Sequence, residues 1–170
     1  RLVGSEMCIR DSAKGIISTN HTYHGNTALV SQLSDTNPSS SFSLNTFKRV
    51  FAPDSYRLNG SKNLEEYSRR FAQDIERKIN EFKKENIGFA GIILCPFFAN
   101  EGFPNLPSGW LEPAQKVIKK HGGIIIADEV QPGFGRLGSS MWSHDIIGIQ
   151  PDIVTIGKPM ANGHPVGALI

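Results

Sequence analysis

The stretch GGIIIADEVQPGFGR (122–136) decides the fold class of this chain, together with PDIVTIGKPMANGHP (151–165) further along. Each stretch contains a short apolar run of strand length, bounded by glycine or by turn residues. A charged side chain closes each run, Asp128 in the first and Lys158 in the second. Dense apolar runs of this length are typical of parallel strands that are buried on both faces of a sheet.

Strands and helices alternate before these two stretches. Apolar residues recur every three or four positions from Leu64 to Phe82, which predicts an amphipathic helix. The run FAGIILCPF (89–97) predicts a buried parallel strand, and residues 110–121 predict a second helix. This order of elements predicts an α/β fold, a mostly parallel sheet with helices on both faces.

The segment before residue 64 has a weaker pattern. Residues 15–17 predict a short strand, and the turn at Gly25 and Asn26 predicts a helix start. Residues 31–62 are rich in Ser, Asn, Pro and Asp and predict a long surface connection. Residues 1–12 resemble the translated read of a sequencing adapter, so we expect a non-native leader there; the alternative is an ordinary N-terminal arm.

The composition excludes several classes of function. The chain has 170 residues, 39% hydrophobic and 20% charged, which is typical of one globular domain. A formal net charge of +2 with no basic stripe argues against nucleic acid, and no apolar stretch approaches the roughly 20 residues that cross a bilayer. Neither of the two cysteines belongs to a metal-binding cluster, and the histidines are scattered. We therefore expect a small-molecule partner, no metal and a cytoplasmic location.

Asp128 and Lys158 lie where ligands bind in such sheets, beyond the carboxyl ends of the strands. An acid directly after an apolar strand is costly to bury without a cationic partner. Taken singly, Asp128 could cap a helix or pair with Arg136, and Lys158 could be a solvated loop charge. Taken together, an amine and an acid suit pyridoxal phosphate, because the amine forms a Schiff base with the aldehyde and the acid holds a proton on the pyridine nitrogen.

The stretch IIIADEVQPGFGRLGSSMW (124–142), followed by PDIVTIGKPMANGHPVGA (151–168) and preceded by YHGNT (23–27), resembles the signature region of class III, fold type I, pyridoxal phosphate-dependent aminotransferases. The resemblance covers residues 13–170. It implies an incomplete large cofactor-binding domain, without the N-terminal segment, the phosphate-binding turn and the C-terminal small domain. It also implies that the complete protein is a homodimer, and that this fragment alone is inactive.

The resemblance assigns roles to residues of this chain. Lys158 matches the lysine that forms the Schiff base and carries the proton, and Asp128 matches the acid at the pyridinium nitrogen. Gln131 matches the position near the phenolic oxygen of the cofactor. Tyr23 matches the ring that stacks on the pyridine, and His24 matches a hydrogen-bonded group behind it.

Other positions shape the site or depart from the family pattern. Gly25 is expected to let the backbone approach the cofactor. The glycines at 133, 135 and 138 and Arg136 are expected to shape the loop after the acid, because their spacing is not that of a phosphate loop. Many family members have Glu-Pro where this chain has Cys95-Pro96, and Glu101 is a candidate replacement for that glutamate.

The predicted function is amino-group transfer from an amine or amino acid to a keto acid or aldehyde. A pyridoxal phosphate-dependent lyase or racemase of the same fold is the first alternative, because related proteins use the same lysine and acid. A non-catalytic, degenerate module is the second. A dinucleotide-binding protein is a third, and it would need a G-x-G-x-x-G turn after the first strand, where this chain has STNHTYHG (18–25).

Overall fold

The computed structural model describes residues 13–35 and 44–170, which form a six-stranded sheet. Its strands are β1 (Ala13–Thr19), β2 (Phe47–Val50), β3 (Gly88–Leu94), β4 (Ile124–Asp128), β5 (Ile153–Ile156) and β6 (Ala168–Leu169). Their order across the sheet is β2-β1-β3-β4-β5-β6. Neighbouring strands pair in parallel except β5 and β6, which are antiparallel. The carboxyl ends of β1, β3, β4 and β5 therefore meet at one edge.

Within residues 13–35 and 44–170, three α-helices connect these strands, α1 (Leu64–Lys84), α2 (Glu112–Lys120) and the short α3 (Ser143–Ile147). The side chain of Asn63 caps α1 by accepting a hydrogen bond from the backbone N–H of Glu66 at 2.8 Å. A proline in the first turn of α2 suits that position because its missing N–H has no partner there in any helix. Gly148, in the left-handed region, ends α3.

One apolar core joins α1 and α2 to the sheet. Tyr67 and Phe71 of α1 are fully buried and contact the ring of Trp110, whose Nε1–H donates to the carbonyl of Leu64 at 3.0 Å. Burial raises the pKa of the Tyr67 hydroxyl. The other fully buried members of this core include Ile17, Ile75, Ile79, Phe82 and Ile92. Their burial anchors both helices to the sheet.

The predicted mostly parallel α/β sheet is confirmed, but one prediction about which segments form its strands is wrong. Residues 31–62 were expected to be a surface connection, but Phe47–Val50 form β2, which pairs in parallel with β1 in the register Ile17 to Lys48. The segment FKRV is short and carries two cations, so its pattern is that of an exposed edge strand rather than a buried one. A strand at the sheet edge needs no continuous apolar run.

Other boundaries differ in detail. The turn at Gly25 and Asn26 leads only to a 3₁₀ turn, Val30–Gln32, and not to an α-helix. The strand predicted over 89–97 ends at Leu94, because the carbonyl of Cys95 accepts from the N–H of Phe98 in a turn. The predicted leader, residues 1–12, lies outside the described residues. Within the described ranges, no helix is long and apolar enough to span a membrane.

Candidate active site

A cavity of about 280 Å³ opens at the carboxyl edge of the sheet. Loops after β1, β3, β4 and β5 all contribute to its wall, as the sheet order requires. All six residues that the sequence analysis assigned to a site lie in this wall, together with three others. The complete lining is Tyr23, His24, Gly25, Cys95, Asn100, Asp128, Val130, Gln131 and Lys158.

Asp128 is the buried acid of the cavity, with 7% of its surface exposed. Its Oδ2 lies 2.7 Å from Nδ1 of His24, whose side chain is fully buried. Its Oδ1 accepts from the hydroxyl of Thr155 and from the N–H of Val130, both at 3.1 Å. A carboxylate has no hydrogen to donate, so Nδ1 of His24 carries the proton of that bond. The buried charge is thereby satisfied by three donors and keeps one orientation.

Arg136 does not pair with Asp128, so this alternative for the acid is wrong. The guanidinium Nη1 donates instead to the carbonyl oxygens of Gln131 at 2.6 Å and Val130 at 3.4 Å. Arg136 therefore holds in shape the loop that follows Asp128. The partner that the buried acid requires is the imidazole of His24, which is 104 positions away in the sequence.

Lys158 begins a 3₁₀ turn, with one residue between it and the end of β5. Its backbone has φ 46°, in the left-handed region that a non-glycine residue adopts at a cost of about 1 kcal/mol or more. The amine Nζ donates to the side-chain oxygen of Gln131 at 3.1 Å. This strained backbone directs the lysine from the end of β5 toward the loop that follows Asp128.

Tyr23 and Gly25 form the wall on the β1 side. The tyrosine ring is 42% exposed and is free to contact a flat ligand. Gly25 has φ 133°, which residues with a side chain rarely adopt, so the backbone conformation itself requires glycine at this position. The N–H of His24 donates to the hydroxyl of Ser34 at 2.9 Å, which ties this wall to the following turn.

Cys95 lies at the back of the cavity, at the end of β3. Burial raises the pKa of its thiol to about 12, with a smaller contribution from the nearby carboxylates of Asp128 and Glu101. The thiol is therefore neutral near pH 7. Glu101 does not line this cavity: it accepts a hydrogen bond from Thr19 and contributes to a separate cavity of about 430 Å³ with the segment 53–57.

Four residues of the site were not identified from the sequence: Thr22, Asn100, Val130 and Thr155. Thr155 pairs with Asp128 in the β4–β5 register, so both side chains emerge at neighbouring positions, and a correct register would have identified it. The hydroxyl oxygen of Thr22 lies 2.9 Å from Nε2 of His24. A spacing of two residues in an irregular loop does not predict such a contact. Asn100 lies in a turn whose course the sequence does not reveal.

Solved structures of similar proteins share this fold. A phospholyase from Arthrobacter in complex with phosphoethanolamine matches with a TM-score of 0.84 and 29% identity, over 98% of this chain and 40% of that one. The omega transaminase from Pseudomonas jessenii in complex with PMP matches with a TM-score of 0.83 and 30% identity, over 98% and 37%. The fold is that of the pyridoxal phosphate-dependent transferases.

Sequence comparison narrows this class to one family. The family model described as aminotransferase class-III matches residues 5–170. An alanine–glyoxylate aminotransferase 2-like protein of Drosophila melanogaster is 32% identical over 161 residues, which cover 91% of this chain and 33% of that protein. The chain belongs to the class-III aminotransferase family, and it spans about a third of the length of this relative.

Proposed function

We propose that the complete protein is a pyridoxal phosphate-dependent aminotransferase that moves an amino group from an amine or amino acid to a keto acid or aldehyde. The observation that carries this proposal is the cavity itself, which is lined by the amine of Lys158 after β5 and by the buried pair of Asp128 at the end of β4 and His24 after β1. An aminotransferase relative and a transaminase structure with PMP support it.

The donor set of the cavity fits the cofactor. Asp128 is a buried carboxylate that can accept from a protonated pyridine nitrogen, and Tyr23 offers an exposed ring face. Lys158 supplies a primary amine beside the Gln131 amide. Among the described residues, no arginine lines this cavity. We propose that the phosphate group of the cofactor is bound mainly by parts of the protein outside this chain. We also propose that the 170-residue chain alone is inactive.

When bound, the cofactor supplies an aldehyde that condenses with amines and a ring that accepts electrons from the substrate carbon. Lys158 would hold the cofactor through Nζ, and the same amine would carry the proton that the reaction moves. Asp128 would accept a hydrogen bond from the protonated ring nitrogen, and His24 holds Asp128 in place. Gln131 orients Nζ, and the neutral thiol of Cys95 adds no second negative charge.

A lyase is the second candidate function. The Arthrobacter structure is described as a phospholyase in complex with phosphoethanolamine, and its fold and sequence match this chain as well as the transaminases do. Elimination needs the same lysine and acid, so the described residues do not separate the two reactions. We also propose that the complete protein is a homodimer, as the family resemblance implies.

Covalent trapping tests the proposal. The complete gene product is loaded with pyridoxal phosphate, reduced with borohydride and digested, and the labelled peptide is located by mass spectrometry. We expect the label on Lys158 and none in Lys158→Ala, while Lys116→Ala, in which an exposed lysine paired with Glu112 is removed, labels normally. A label on other lysines only would overturn the assignment. The isolated 170-residue chain is expected to show no turnover.

Product analysis then separates the two reactions. With L-alanine and glyoxylate, an aminotransferase releases pyruvate and glycine in equal amounts. With phosphoethanolamine, a lyase releases inorganic phosphate, acetaldehyde and ammonia without any keto acid. Keto acid-dependent turnover supports the first function, and keto acid-independent phosphate release supports the second.

A further inference from the structure

Glu129, next to the active-site acid, is a fully buried carboxylate that the proposed reaction does not use. Successive side chains of an extended chain point to opposite faces, so Glu129 points away from the cavity that Asp128 enters. Its Oε1 accepts three hydrogen bonds at 2.8 Å, from the hydroxyl of Ser143, the N–H of His144 and Nδ1 of His144. Its Oε2 is buried and has no hydrogen-bond partner among the described residues.

His144 is held in place by packing as well as by this bond. Its ring stacks on Trp142 with centroids 6.4 Å apart and an interplanar angle of 13°, and its side chain is 14% exposed. Phe134 contacts the same indole edge-on. A side chain at Gly133 would lie 2.9 Å from Trp142 and 2.7 Å from the Glu129 carbonyl, so the loop packs closely against this group.

The backbone of Glu129 is bonded to the cavity wall on both sides. Its N–H donates to the carbonyl of Thr155 in β5 at 2.9 Å, and its carbonyl accepts from the N–H of Gly133 at 2.9 Å. Asp128 precedes it directly, and Gln131, which holds the amine of Lys158, follows two positions later. The side chain of Glu129 therefore fixes to α3 the short segment that presents both groups to the cavity.

We propose that the pair of Glu129 and His144 is a positioning device for the reaction, which sets the angle at which Asp128 meets the cofactor. This inference rests on the proposed function. A fully buried carboxylate is costly, and here its satisfaction depends on donors that converge on one oxygen. Replacement of all members of a buried charged pair by apolar side chains is often neutral or stabilising, so stability alone does not account for a charge there.

Substitution of His144 in the complete protein loaded with pyridoxal phosphate tests this role. His144→Phe keeps a ring on Trp142 and removes the Nδ1–H bond to Glu129. Asp145→Asn is the matched control, because Asp145 is exposed and lies 3.7 Å from Nε2 on the other side of the same imidazole. Glu129→Gln is a second variant of nearly equal volume. Each variant is measured for thermal midpoint, cofactor Kd, visible circular dichroism per bound cofactor, and kcat and KM.

We expect His144→Phe to raise the cofactor Kd and lower kcat by about tenfold each, within the range seen for coupled residues of one network. Its visible circular dichroism should change, because this signal reports the tilt of the bound ring. Asp145→Asn should stay within about twofold of the parent. In an Asp128→Asn background the loss caused by His144→Phe should shrink to about twofold or less, since no carboxylate then needs aiming.

Two results would overturn the inference. If His144→Phe reduces kcat by the same factor in the parent protein and in the Asp128→Asn background, the two effects are additive and His144 acts independently of the acid. A lower thermal midpoint with unchanged Kd, kcat and circular dichroism would assign the pair a structural role only. If the parent protein bound no pyridoxal phosphate, the proposed function would fall first and this inference with it.

Discussion

Replacement of Asp128 by asparagine should separate the fold of this protein from its chemistry. The substituted side chain keeps a carbonyl oxygen where Oδ1 accepts from Thr155 and Val130. Its new NH₂ group faces Nδ1 of His24, which can accept if the imidazole proton moves to Nε2 and is donated to the hydroxyl of Thr22, 2.9 Å away. Every bond of the cluster then survives, so we expect about 1 kcal/mol or less of lost stability.

The same replacement removes the charge that should face the pyridine nitrogen. A hydrogen bond to a charged group contributes about 1.5–3 kcal/mol, which corresponds to about 10- to 150-fold in a rate or binding constant. We therefore expect kcat/KM of Asp128→Asn to fall by at least about tenfold, while the thermal midpoint moves by a few degrees or less. Steady-state kinetics and calorimetry on the complete protein measure the two quantities.

Asp152, at the amino end of the parallel strands, offers a matched control for Asp128→Asn. Asp152 precedes β5, and its carboxylate accepts from the N–H of Ile125 at 2.8 Å, outside the cavity lining. Asp152→Asn makes the same chemical change and should leave kcat/KM within about twofold. The reasoning is refuted if Asp128→Asn retains activity within about threefold of the parent while folded, or if both substitutions reduce activity equally.

Three further predictions concern the thiol and the scaffold. Burial raises the pKa of Cys95 to about 12, so about one thiol in 10⁴ is ionised at pH 8. In a Cys8→Ser background, iodoacetamide should therefore label Cys95 of the native protein at least about 100-fold more slowly than Cys95 of the unfolded protein. Gly91→Ala would place a Cβ 2.3 Å from the carbonyl oxygen of Ile124, so the free energy of unfolding measured in urea should fall by about 3 kcal/mol or more. A decrease below about 1 kcal/mol would contradict the close approach of β3 and β4. Asn63→Ala removes the cap of α1 and should lower the free energy of unfolding by about 1 kcal/mol, with Asn63→Gly losing less.

Local pattern was enough to predict the strands before Asp128 and Lys158, and the helix α1. Dense apolar runs before Asp128 and near Lys158 identify β4 and β5, because strands buried on both faces tolerate few polar residues. The 3.6-residue period after Leu64 likewise identifies α1. β2 was not predicted, because an edge strand has solvent on one side and can be as short and as charged as FKRV.

The partners of the site residues were much harder to predict. The bond between His24 and Asp128 joins positions 104 apart, and only the pairing of β1 through β3 to β4 brings them together. The resemblance identified His24 as a hydrogen-bonded group but did not name its partner. Glu129 and His144 are joined across a loop without periodicity, so no spacing rule indicated their contact.

The order of the strands also determines when, during folding, the site comes into existence. Residue pairs in the β1–β3 ladder are distant in the sequence, such as Ala13 with Gly88 and Ile17 with Ile92. Contacts at such separations close late, since the entropy of a long loop must be overcome before any pairing is gained. Helix α1 can form early from local contacts, but Tyr23 and His24 reach Asp128 only after β1 has docked beside β3. Capture of the cofactor is therefore expected to report completion of the sheet, and a refolding chain should regain its helical signal well before it regains the ability to bind the cofactor.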